Sequence, residues 1–198
     1  MVDEIEKAYG SASNHVEHLL GRTVAPGDPD RAIIEPWAQT VSGPILDVGS
    51  GTGRWTGQLA GLGHDITGLE PVERLVHAAR EAHPGVEFCR GSIQDLAQTH
   101  RFWAGILSWY SVIHLSPAEL PAALAILRSV LQDEGTMLMS FFAGTHLAPF
   151  NHPVAPAYRW PMDDMTRVLA DAGFEVTAQH WDPGAPHAWI TARAILTR

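Results

Sequence analysis

The run Ile45-Leu-Asp-Val-Gly-Ser-Gly-Thr-Gly53 restricts the folds open to this chain more than any other stretch. Pro44, Ile45, Leu46 and Val48 form a short apolar segment of the kind that fills a buried parallel strand, with one acid, Asp47, inside it. Gly49, Gly51 and Gly53 follow at alternate positions. A glycine turn directly after a buried strand lets the backbone pass close to a ligand, because no Cβ stands in the way. Arg54 to Ala60 then open a helix whose N-terminal amides face the same spot. The spacing excludes two common nucleotide patterns. In G-x-G-x-x-G the last glycine would fall at Arg54 or Thr56, and the Gly-Lys-Ser/Thr of a P-loop is absent.

Composition narrows the class of partner. The 198 residues are 45% hydrophobic, enough for one good core and one domain over 1–198. The net charge is −9, Lys7 is the sole lysine and the arginines are scattered, so no basic footprint for nucleic acid is expected. One cysteine, Cys89, rules out an internal disulfide and fits a reducing cytoplasm; it reads as a buried small hydrophobe. No apolar run is long enough to span a bilayer, and the acidic N-terminus lacks a signal-peptide core, so no membrane partner is expected.

Taken in order, residues 1–43 read as a helical lead-in, with Ile5, Tyr9, Val16, Leu19 and Leu20 at rough helical spacing. Asp28 or Asp30 caps a helix carrying Ile33, Ile34, Trp37, Ala38 and Val41. After the glycine turn, Asp65 to Glu70 is a second strand ending in an acid, and Pro71 opens a helix with Val72, Leu75, Val76 and Ala79 on one face. Glu70 lies at the tip of its strand, placed to accept hydrogen bonds from two ribose hydroxyls; the alternative is an acid favoured by the helix dipole. Val86 to Arg90 and Phe102 to Tyr110 read as the third and fourth strands. Ser116-Pro-Ala-Glu119 is a capping box with Pro117 at the first helical position, and Thr136 to Phe142 is a fifth strand. A helix over Met162 to Gly173 precedes two strands, Phe174 to Trp181 and Ala188 to Leu196; the turn between them, which carries His187, is so short that they must be antiparallel. His180 and His187 read as surface residues.

Asp-x-Gly-x-Gly-x-Gly resembles the first motif of class I S-adenosylmethionine-dependent methyltransferases, and the order of elements follows that family along nearly the whole chain. The resemblance implies a doubly wound, Rossmann-like α/β domain: a seven-stranded, mostly parallel sheet with a C-terminal antiparallel hairpin and helices on both faces. It implies S-adenosyl-L-methionine as cofactor, with S-adenosyl-L-homocysteine as product. Asp47, Gly49, Ser50, Gly51, Gly53, Arg54, Trp55, Glu70, Pro71, Ser92, Ile93, Ser108 and Tyr9 are the candidate cofactor contacts. The resemblance also implies that residues 1–43 form an N-terminal helical lid, from which His15 and His18 join Tyr9 as pocket candidates. Two departures stand out: Ser92 occupies a place where the family often has an acid for the adenine amino group, and Ala104 replaces an acid at the start of the fourth strand. Asp95 caps the short helix after Ser92.

The segment after the fourth strand in this family faces the acceptor, so Ser108, Trp109 and Tyr110 line that pocket. His114 is the candidate for proton chemistry, since an imidazole can take the acceptor's proton at neutral pH, and Tyr110 is the second catalytic candidate. Residues 143–161, rich in proline, histidine and aromatics, read as a substrate-side loop insertion. Phe142, His146, Tyr158 and Trp160 are the substrate candidates, with His152 and Arg159 in the same set. His146 and His152 lack a third ligand at recognisable spacing, so no metal is expected. The expected protein is a cytoplasmic monomer or homodimer acting on a small molecule. Two rivals differ in class: an enzyme that uses bound S-adenosylmethionine without methyl transfer, and a non-catalytic nucleotide-binding module.

Overall fold

The computed structural model describes residues 4, 6–12 and 21–195. His15 and His18, with Ile5, Val16, Leu19 and Leu20, lie outside the described residues. Residues 6–12 are helical. There follow α1 (Arg31–Thr40), β1 (Ile45–Val48), α2 (Arg54–Gly61), β2 (Ile66–Glu70), α3 (Glu73–Ala82), β3 (Glu87–Arg90), a short 3-10 helix (Gln94–Gln98) and β4 (Trp103–Trp109). The second half runs α4 (Leu120–Ser129), β5 (Leu131–Ala143), β6 (Ala148–Phe150), β7 (Ala157–Trp160), α5 (Met162–Asp171), β8 (Phe174–Trp181) and β9 (His187–Ala194).

Strands β3, β2, β1, β4 and β5 lie side by side and parallel. The chain order reverses between β1 and β4, which leaves a crevice at the carboxyl ends of those strands. Alternation along each strand sends neighbouring side chains to opposite faces. Ile45, Leu107 and Leu138 pack with Ile34 and Trp37 of α1 and Trp55 and Leu59 of α2. Leu46, Ile106, Met137 and Met139 pack on the other face with Leu120, Leu124 and Leu127 of α4 and Met165 and Leu169 of α5. The helices therefore cover both faces, as expected. Each fully buried leucine of α4 contributes about 1.5–3 kcal/mol.

Among the described residues the sheet has nine strands rather than seven, and the difference lies in residues 143–161. That segment is not simply a loop. β6 and β7 form an antiparallel hairpin, and β7 joins β5 in parallel at Phe142–Ala143. β4 pairs with β5 only as far as Trp109–Ser140, while β9 runs antiparallel along the other edge of β5 from Thr136 to Phe142. The hairpin thus continues the sheet where β4 stops. Its apolar anchors are Ala157 and Trp160, both buried. The expected terminal pair, β8 and β9, is antiparallel.

Smaller differences concern helix starts. Ser116 and Glu119 make their box, with Glu119 Oε2 accepting from the Ser116 backbone N–H (3.0 Å) and Oγ (2.6 Å). The regular helix begins later, at Leu120, so Pro117 lies in the turn before it. Pro71 likewise precedes α3 by two residues. Asp30 sits at the N-cap of α1 without a side-chain capping bond, because its carboxylate is drawn to Trp109. Cys89 is half-buried rather than buried, and free.

Candidate functional site

The glycine turn, the tip of β2, the loop after β4 and the residues before β7 enclose a cavity of about 460 Å³, within the range of small-molecule sites. Its lower wall is built by the turn and two acids. Glu70 is 6% exposed; its Oε2 accepts from the Gly51 N–H (2.9 Å) and its Oε1 from the Val72 N–H (2.9 Å). The carboxylate thus ties the turn to the start of α3, and both oxygens keep a further lone pair. Asp47, 3% exposed, accepts from Thr56 Oγ1 (2.6 Å) and braces the turn against α2. Burial pushes the Glu70 carboxyl up to about 7, against the two amide bonds that lower it; Asp47 adds a smaller upward push. Burial likewise raises Asp47 to about 6.

The three glycines have different surroundings. Gly51, at φ +56°, would direct a Cβ into open space, and it lines the cavity. Gly53, at φ +78°, would drive a Cβ to 2.7 Å from Phe88 Cζ and 2.8 Å from Ala79 Cβ, and it does not line the cavity. Gly51 leaves the cavity open, whereas Gly53, at the start of α2, is a packing contact against α3 and β3.

The opposite wall centres on His114. Its Nδ1 lies 2.8 Å from the Pro156 carbonyl, which can only accept, so Nδ1 carries the proton. Nε2 is then a lone pair, and the Tyr9 hydroxyl donates to it at 2.8 Å. Burial lowers the His114 pKa, and the Pro156 bond opposes that shift. Tyr9 packs against Val72 and Leu75, and burial, with a smaller push from the Glu70 charge, raises its phenol to about 12. The Tyr158 N–H donates to the Ile113 carbonyl (3.0 Å), so the β6–β7 hairpin is fastened to the loop after β4 and carries His152, Pro153 and Val154 over the cavity. Tyr110 holds a left-handed φ of +57°, its amide donates to Ser140 Oγ (2.8 Å), and its hydroxyl meets His187 Nδ1 at 2.7 Å. A non-glycine residue in that region is strained and is held there by its surroundings.

Of the residues singled out from sequence, Asp47, Gly49, Ser50, Gly51, Arg54, Trp55, Glu70, Pro71, Ser92, Ile93, Tyr9, Tyr110, His114 and Phe142 line the cavity, as do Trp109 and His152. Ser108 does not; it is buried and bonds Ser111 Oγ at 2.7 Å, and Ser111 is the lining residue. His146, Tyr158, Arg159 and Trp160 do not line it either. Trp160 lies in the core, Tyr158 packs against that core, His146 is exposed beside Thr145, and Arg159 sits over Phe150. The aromatics of the hairpin anchor it; its short connection reaches the cavity.

The Ser92 hydroxyl and amide both donate to Asp95 Oδ2 (2.8 and 2.7 Å). His187, read as a surface residue, is exposed yet forms part of the rim. Asp30 also lines the cavity, accepting from Trp109 Nε1 at 2.8 Å, with Arg54 3.9 Å away; Asp28 pairs with Arg54 at 3.2 Å. No sequence signal distinguishes Asp30, Ser111 or His187, because each depends on a long-range approach. Among the described residues there is no group of three or more His, Cys, Asp or Glu able to hold a metal, and no helix long and apolar enough to cross a membrane.

The raised acids give stability a sign with pH. Both carboxyls bind protons more tightly folded than unfolded, so their stabilising contribution is complete below about pH 4 and lost as pH rises through about 6 to 7. We expect the ligand-free protein to lose a few kcal/mol between pH 5 and pH 8 from these groups. Glu70→Gln should flatten that slope; an unchanged slope in urea unfolding at several pH values would contradict the assignment.

A parallel sheet with its order reversed at β1 and β4, a glycine turn there and an acid at the tip of β2 frame the site. Residues 45–135 match the family model described as a methyltransferase domain. An uncharacterized methyltransferase of Oceanobacillus iheyensis is 30% identical over 94 residues, which are 48% of this chain and 44% of that protein. The O-methyltransferase cnsE of Penicillium expansum is 30% identical over 146 residues, 67% of this chain and 52% of that one. The chain thus spans about half the length of these curated relatives. Among solved structures, the 1,6-didemethyltoxoflavin-N1-methyltransferase of Burkholderia thailandensis, with bound 1,6-didemethyltoxoflavin and S-adenosylhomocysteine, superimposes with a TM-score of 0.80 at 20% identity, covering 98% of this chain and 88% of that one. The CcbJ methyltransferase of Streptomyces caelestis gives 0.76 at 18% identity, over 96% and 99%. Residues 45–135 are thus similar to a methyltransferase domain, and the chain shares the fold of these solved methyltransferases.

Proposed function

We propose that this protein is an S-adenosylmethionine-dependent methyltransferase acting on a small-molecule acceptor, with residues 1–198 as one working domain. The observation that carries the reading is the pairing of Gly51, whose missing Cβ leaves the cavity open, with the buried Glu70 carboxylate bonded to that same glycine's amide. The residues present fit the cofactor. Glu70 would hold the ribose hydroxyls with its remaining lone pairs, Gly49 to Gly51 offer backbone approach, and Ser92 and Ile93 would border the adenine. Asp47 shapes the turn or holds the methionine amino group. When bound, S-adenosylmethionine supplies an electrophilic methyl group, transferred as the carbon–sulfur bond breaks with its electron pair left on sulfur.

The chain's own residues would orient the acceptor and take its proton. His114 presents a neutral Nε2 lone pair and serves as the base; Tyr110 and Phe142 form the acceptor wall. His114→Ala is expected to lower kcat by roughly 10²-fold or more while leaving the Kd for S-adenosylmethionine within about threefold. At saturating cofactor the acid limb of kcat should lie below the ordinary imidazole value of 6.5. A kcat for His114→Ala near that of the parent protein would remove His114 from the chemistry and leave proximity as the main device.

The net charge of −9 and the enclosed cavity support a small molecule rather than nucleic acid, and the free cysteine supports a reducing, cytoplasmic setting. Isothermal titration with S-adenosylmethionine and NAD tests the binding step, and release of S-adenosylhomocysteine tests transfer. Preference for NAD would end the proposal. Turnover without S-adenosylhomocysteine would favour non-methyl chemistry on the same cofactor.

A further inference from the structure

Resting on that reading, we propose that the acceptor is a neutral, planar aromatic compound methylated on a ring hydroxyl. It would be seated in the chamber formed by Tyr110, Phe142, His152 and His187, with its hydroxyl donating to His114 Nε2. Three observations support this class over an aliphatic or charged acceptor.

The first is the wall. Phe142 lies 5.3 Å from Tyr110, 5.5 Å from His187 and 6.0 Å from His152 between ring centroids, and His152 lies 5.0 Å from His114. All five rings line the cavity, with Phe150 packed behind Phe142 at 5.1 Å. Continuous ring surface of this kind favours a flat π-system, which gains stacking and edge contacts beyond its buried area.

The second is charge. The charged residues in the lining are each engaged away from these rings. Glu6 pairs with Arg90, Asp30 accepts from Trp109, and Arg54 pairs with Asp28. Asp47 accepts from Thr56, and Glu70 accepts from two backbone amides. Burial lowers both His114 and His152, and their mutual proximity lowers His152 further, so both are neutral at pH 7. An ionised acceptor would lose its hydration here without gaining a counterion from these side chains.

The third is a stand-in within the protein. The partner of His114 Nε2 is a phenol, the Tyr9 hydroxyl, at 2.8 Å. The nitrogen is fixed as an acceptor by the Pro156 bond, so whatever replaces Tyr9 must donate a hydrogen. A phenolic acceptor hydroxyl taking that place would match it group for group. The step balances: the acceptor's O–H bond breaks with the proton passing to Nε2, its oxygen lone pair forms the new bond to the methyl carbon, and the sulfonium sulfur keeps the pair of the broken C–S bond. The imidazolium then releases the proton to water. His152, whose Nδ1 receives the Val154 N–H at 3.4 Å, carries its proton on Nε2 when neutral and has no side-chain partner there among the described residues. It is the positioning residue for a second polar atom on the acceptor ring.

The test uses the full chain loaded with S-adenosylhomocysteine, titrated calorimetrically with three matched probes: 2-naphthol, its saturated analogue decahydro-2-naphthol, and anionic 6-hydroxy-2-naphthoate. We expect 2-naphthol to bind roughly tenfold tighter than either of the others. Phe142→Ala should weaken 2-naphthol roughly fivefold or more while S-adenosylhomocysteine affinity stays within about twofold; Phe142→Leu serves if the alanine variant does not fold. With S-adenosylmethionine, 2-methoxynaphthalene should form. Equal or tighter binding of the saturated or anionic probe, or absence of 2-methoxynaphthalene, overturns the acceptor class while leaving the methyltransferase reading intact. Failure of S-adenosylhomocysteine itself to bind would remove both.

Discussion

Glu70→Ala is expected to weaken S-adenosylmethionine binding by roughly 10²- to 10⁴-fold, measured by isothermal titration at pH 8. Two charge-assisted hydrogen bonds to a ribose are worth roughly 1.5–3 kcal/mol each, and the variant forfeits both. It also unties the Gly51 amide from the tip of β2, so the turn loses the fastening that aims it at the cavity. Stability should change much less than affinity at that pH. The native carboxylate is buried with its pKa raised to about 7, which shows that ionising it costs the fold free energy that the alanine variant does not lose. Affinity in the parent protein should also rise between pH 6 and pH 8 as Glu70 ionises. An affinity in Glu70→Ala within about threefold of the parent protein would show that the carboxylate only staples the turn to α3.

Gly51→Ala and Gly53→Ala are expected to part company. At Gly53 an alanine keeps an unfavourable left-handed φ and forces its Cβ against Phe88 and Ala79, both buried. Left-handed strain of roughly 1–2 kcal/mol and overpacking of roughly 1–3 kcal/mol combine to a loss of about 2–5 kcal/mol. For a chain of this size that lowers Tm by roughly 5–15 °C. At Gly51 the left-handed strain is the same, but the Cβ meets nothing within 4 Å. Its cost in stability should stay near 1–2 kcal/mol, while the methyl group projects into the path of a ligand and S-adenosylmethionine affinity falls by roughly tenfold or more. Paired thermal melts and titrations separate the two. If Gly53→Ala melts like the parent protein, the packing role assigned to it is wrong.

The fold was legible where the pattern is local. Ile45 to Val48 announces a buried strand because four successive side chains must be covered, and Glu70 announces its position because an acid ends an apolar run. The heptad-like spacing of Leu120, Leu124 and Leu127 marks one helix face without reference to any partner. The hairpin at 143–161 was harder to see. Its strands have three and four residues, one carries Pro149, and Phe142–Ala143 can pair with β7 only because β4 ends at Trp109. Nothing in residues 148–160 encodes where another strand stops.

The candidate site divides along the same line. The wall made of consecutive residues, Asp47 to Trp55 and Glu70 to Val72, could be read from the chain because its geometry follows from a strand, a glycine turn and a helix start in sequence. The wall that faces it could not. Tyr9 reaches His114 across 105 positions, Tyr110 reaches His187 across 77, and His114 reaches Pro156 across 42. Aromatic and histidine residues are suited equally to core, surface and site, so spacing alone could not separate Trp160, which anchors the hairpin, from His152, which borders the cavity. The amino-acid sequence by itself determined that bare backbone lies beside a carboxylate, since φ freedom and strand burial are properties of neighbouring residues. Which rings line the cavity opposite that turn, and which imidazole nitrogen is left with a lone pair, was decided only when the sheet brought distant segments into hydrogen-bonding range.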